Sequence, residues 1–175
     1  MHPELDQALL RDLAQPLVTR FSPGEDDELF PLLCAAHFAD PTAFTDPDRR
    51  TGPLAFGVPE LVVLLTPVVL AAMTEAVRYV VEAGMSRGER VTTAAIRRLF
   101  RRPPAVAGTP ADDGIAAAGD DGPPTGTTLA LSAAEWSAIR EIVERVALRG
   151  GVDPDRAGLI ADAVVGQGQL EAGRR

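Results

Sequence analysis

The stretch from Leu54 to Glu82 reads LAFGVPELVVLLTPVVLAAMTEAVRYVVE, and its reading decides the fold. Between Glu60 and Glu75 lie fourteen residues without a charged side chain, apolar on nearly every face. Strands seldom run this long, and Val58-Pro59-Glu60 places a proline and an acid where the first turn of a helix favours them. The sequence predicts a helix from about Val58 to Glu82, kinked or split at Pro67, where the ring removes a hydrogen bond. Beyond Thr74 the pattern turns amphipathic, with Ala76, Val77, Val80 and Val81 on one side and Glu75, Arg78 and Glu82 on the other. A membrane-spanning helix needs about twenty mostly apolar residues, and shorter runs are more often core. Buried core is the primary reading of this helix, and membrane contact through Leu61–Met73 is the alternative.

Upstream, Leu5, Leu9, Leu10, Leu13 and Leu17 recur at helical spacing, predicting a helix over residues 3–19. Ser22-Pro23-Gly24-Glu25 then has the form of a capping box for a second helix, whose apolar residues are Leu29, Phe30, Leu32, Leu33, Ala36 and Phe38. Pro31 predicts a kink in that helix or a delayed start. Residues 39–53 read as a loop. Downstream, Gly84 and Gly88 mark a stop or a bend, and a helical pattern resumes over residues 91–102 with Ile96, Leu99 and Phe100 apolar.

Residues 103–128 are Pro, Gly, Ala, Thr and Asp with few large aliphatics, too little apolar surface to offset the entropy of ordering. They read as a disordered linker. Ser132-Ala-Ala-Glu135 is a second capping box, and Trp136, Ile139, Val143 and Val146 form an apolar stripe behind it. Asp153-Pro154 opens a last helix whose Leu159, Ile160, Ala163 and Val164 would fold back on the first. The expected fold is all-α, with five or six helices around the apolar one. Residues 1–102 form a helical core domain, 103–128 the linker, 129–168 a C-terminal hairpin and 169–175 a tail. The hairpin carries more apolar surface than its two helices can cover, so it should dock on the main body or on a partner.

Composition narrows the function classes. Only eight residues are aromatic, and all seventeen basic residues are arginine, as a GC-rich coding sequence would give. The net charge of −8 disfavours nonspecific binding of nucleic acid. A single cysteine, Cys34, excludes an internal disulfide and suits a reducing cytoplasm, and neither end reads as a secretion signal or lipid anchor. The expected location is cytoplasmic, with membrane association as the alternative.

No motif carries chemistry. Cys34, His37 and Asp40 stand one helical turn apart and could line one face. A closed zinc site needs four ligands, and the chain's only other histidine is His2. The structural reading, a buried thiol beside a partly exposed imidazole, is preferred over a metal site or a thiol nucleophile. No phosphate-binding glycine loop, dinucleotide fingerprint or GxSxG is present. The chain is therefore read as non-enzymatic, with no cofactor. Arg87, Arg90, Arg97, Arg98, Arg101 and Arg102 lie within sixteen residues. They are expected to pair with the acidic first sixty residues, which hold eleven carboxylates against four arginines. If the protein instead meets an anionic surface, Arg97, Arg98, Arg101 and Arg102 are the contacts.

Residues 54–71, LAFGVPELVVLLTPVVLA, and 156–166, RAGLIADAVVG, resemble segments of small uncharacterised helical proteins of GC-rich actinobacteria. Some of those are encoded beside proteases or nucleotide-switch ATPases of bacterial conflict systems. The resemblance implies an accessory or adaptor role and brings no catalytic residue. The sequence reading is thus a helical interaction protein that self-associates or binds a protein partner, with Trp136, Ile139, Val143 and Leu159 as the contact residues. Its alternative is a membrane-active effector.

Overall fold

A computed structural model describes residues 6–25, 28–42, 64–100 and 129–169, the side chains of 167–169 excepted. These residues form six α-helices and one 3₁₀ turn, with no strand among them. The helices are α1 (Gln7–Phe21), α2 (Leu29–Ala39), α3 (Leu65–Ser86), α4 (Thr93–Phe100), α5 (Ala133–Arg149) and α6 (Pro154–Gln169). The all-α expectation holds. The expected linker, residues 103–128, and residues 43–63, which include Val58-Pro59-Glu60, lie outside the described residues.

Helix α3 is the centre, packed against α1, α2 and α5. Leu65 through Leu70, Ala72 and Met73 are buried, so its first half faces the interior almost all round. Ala76, Val77, Val80 and Gly84 continue the buried face at helical spacing, while Arg78 and Glu82 reach solvent. Each fully buried Leu or Val contributes about 1.5–3 kcal/mol, and α3 supplies more such side chains than any other helix.

Pro67 does not kink this helix. It is the third residue of α3, inside the first turn, where an amide N–H has no intrahelical acceptor to lose. The same holds for Pro31, third in α2. The start of α3 is capped from a distance. Leu64, at the N-cap position, offers no side-chain acceptor. The carboxylate of Glu25 accepts instead, from the N–H of Leu65 at 2.6 Å and of Thr66 at 2.7 Å. Glu25 is only 5% exposed, and the Ser22 hydroxyl donates to its Oε1 at 2.8 Å. The Ser22–Glu25 pair is therefore not the capping box of α2. Residues 23–25 make a 3₁₀ turn, and their acid serves a helix forty residues away.

The C-terminal pair forms as its sequence dictates. Ser132 Oγ accepts from Glu135 N–H at 3.2 Å, and the Glu135 carboxylate accepts from Ser132 N–H at 2.7 Å. Asp153 accepts from Arg156 N–H at 2.9 Å and caps α6. Helix α5 runs antiparallel to α3: Glu135 pairs with Arg87 at one end, and Gly150 lies on Val68 at the other. A Cβ on Gly150 would sit 2.7 Å from both methyls of Val68, so the α5–α6 turn reaches α3 only because that position is glycine.

Two substitutions test these contacts. Glu25→Ala leaves two buried N–H groups without an acceptor and should cost about 2–4 kcal/mol in urea unfolding, with Glu25→Gln recovering part of it. A cost below about 0.5 kcal/mol would show that the remote cap contributes little. Gly150→Ala should cost about 1–3 kcal/mol by overpacking. Gly158→Ala, a helical position with nothing within 4 Å, should instead be stabilising. Equal effects of the two would rule out the steric account.

Candidate interaction surface

Three of the four expected partner contacts are satisfied within the chain. Trp136 is 2% exposed, and Ile139 and Val143 are fully buried where α5 packs on α3. The Trp136 ring meets Phe100 of α4 edge-on, with centroids 6.0 Å apart. The hairpin thus docks on its own main body. Its inner α6 face is Ala157, Ile160, Ala161, Val164 and Val165, which leaves Leu159 turned outward and 58% exposed. Of the segment 61–73, residues from Leu65 onward face the interior and 61–63 lie outside the described residues. Among the described residues no helix is long and apolar enough to cross a membrane.

The arginines divide. Arg97 pairs with Asp12 of α1 at 2.9 Å, and Arg87 with Glu89 at 3.2 Å as well as with Glu135. Arg98 is exposed, and Arg101 and Arg102 lie outside the described residues. The Arg97–Asp12 contact is the pairing with the acidic N-terminal region that the sequence suggested. Both partners are more than a third exposed, so the pair contributes little to stability.

Helix α2 presents two different faces. Inward, Phe30, Cys34 and His37 are buried at one-turn intervals. Burial raises the pKa of the Cys34 thiol, an effect that the Arg11 guanidinium beside it only partly offsets. Cys34 is therefore held as a neutral thiol, not as a nucleophilic thiolate. His37, expected to be partly exposed, is 3% exposed, and its Nδ1 has no hydrogen-bond partner among the described residues. The Asp40 carboxylate turns to its own loop, accepting from Thr42 N–H at 3.1 Å and Oγ1 at 2.8 Å. The described residues hold no cluster of three groups able to bind a metal.

Outward, α2 shows Leu29 at 46% and Leu32 at 67% exposure, with Pro31, Ala35, Ala36 and Ala39 exposed beside them. These positions cover one contiguous side of the helix, and none is polar. The sequence reading named Leu29 and Leu32 among the apolar residues of α2 without assigning them a face. The signal was present: no polar side chain occurs from Leu29 to Ala36, so a helix lying on the surface must expose apolar residues. No protein-family model, characterised protein or solved structure matches the chain.

The buried imidazole gives a pH test. Burial lowers the His37 pKa below its ordinary value of 6.5. Between the native value and 6.5 the unfolded chain binds a proton that the native chain does not, so stability falls as pH drops below 6.5. In urea titrations from about pH 7 to pH 5, His37→Gln should flatten that decline. Identical pH slopes for the two proteins would refute it.

Proposed function

We propose that the chain is a non-enzymatic helical adaptor, acting by self-association and protein contact, and accessory to a bacterial conflict system. The observation that carries this reading is the outward side of α2, an unbroken apolar surface on a helix whose other side is already packed. Scattered exposed leucines are ordinary on protein surfaces, but a contiguous patch marks a contact site. The contact residues move accordingly. Trp136, Ile139 and Val143 support the body that holds α2 in place, and the adaptor surface is built on Leu29 and Leu32. The conflict-system setting rests on the sequence resemblance alone.

Sedimentation equilibrium over about a hundredfold range of concentration, with flotation on anionic vesicles in parallel, tests this reading. The expected result is a mass that rises with concentration and no flotation. A protein that stays monomeric throughout overturns the self-association. Salt-resistant flotation would replace the adaptor by the membrane-active effector, and flotation abolished by salt would point to Arg97, Arg98, Arg101 and Arg102 on lipid headgroups.

A further inference from the structure

We draw no further inference here: the strongest candidate, the outward apolar face of α2, adjoins residues 43–63 outside the described ones, and nothing in the structure shows what covers it.

Discussion

The carboxylate of Glu25, seated on the first two amides of α3, is the contact through which the N-terminal half is assembled. A helix that begins inside a core has amides that neither water nor its own carbonyls can satisfy. In α3 the orphan positions run from the half-buried N-cap Leu64 through Leu65 and Thr66 to residue 67. Glu25 takes the amides of Leu65 and Thr66, and residue 67 has none to satisfy because it is proline. The negative charge lies at the positive end of the helix dipole, and the Ser22 hydroxyl gives it a further donor. Desolvating a carboxylate is costly, and these hydrogen bonds are what offset it. The site also ties two elements together: α1 ends and α3 begins around one side chain.

The opposite ends of the helices use a different device. Both α3 and α5 finish with a glycine at positive φ, Gly88 at 73° and Gly151 at 77°. In each, the next residue donates back to a carbonyl in the last turn: Glu89 to Gly84 at 2.9 Å, and Val152 to Ala147 at 3.1 Å. The chain then turns back sharply enough to touch the helix it has left. At Gly84 a Cβ would lie 2.2 Å from a methyl of Val91, so the turn after α3 packs directly on helix backbone. Small residues at these places let an interior built mostly from Ala, Val and Leu close around a few large aromatics.

How much of this the sequence disclosed depends on how local each cause is. Ser132 and Glu135, Asp153 and Pro154, and Gly150-Gly151 carry their instructions within a few residues, and α5 and α6 form as read. The start of α3 does not, because its cap comes from forty residues upstream and Leu64 gives no sign of it. The kink expected at Pro67 fails for the same reason: a proline interrupts a helix or begins one according to where the helix starts. The stripe Trp136, Ile139, Val143 shows a further limit. Periodicity reveals that a face must be covered, and a helix of the same chain covers it as well as a partner would. His37 differs again, since nothing local foretells that an imidazole whose Nδ1 finds no partner among the described residues will be enclosed.

The exposed apolar residues do not all carry the same meaning. Met85, Leu148 and Leu159 are as exposed as Leu29, but each is the large apolar side chain of an otherwise polar or small-residue neighbourhood. Such residues need no partner, because a folded surface is never wholly polar. On α2 the whole outward side is apolar over three turns, although any of its positions could hold Glu, Arg or Gln without touching the core. Helix propensity does not require leucine there, since Arg, Gln and Glu serve nearly as well on an exposed face. Nor does packing, since Phe30, Cys34 and His37 already fill the inner side. Among the described residues the outward side of α2 carries no charge, and it is on this side that the proposed contact is built.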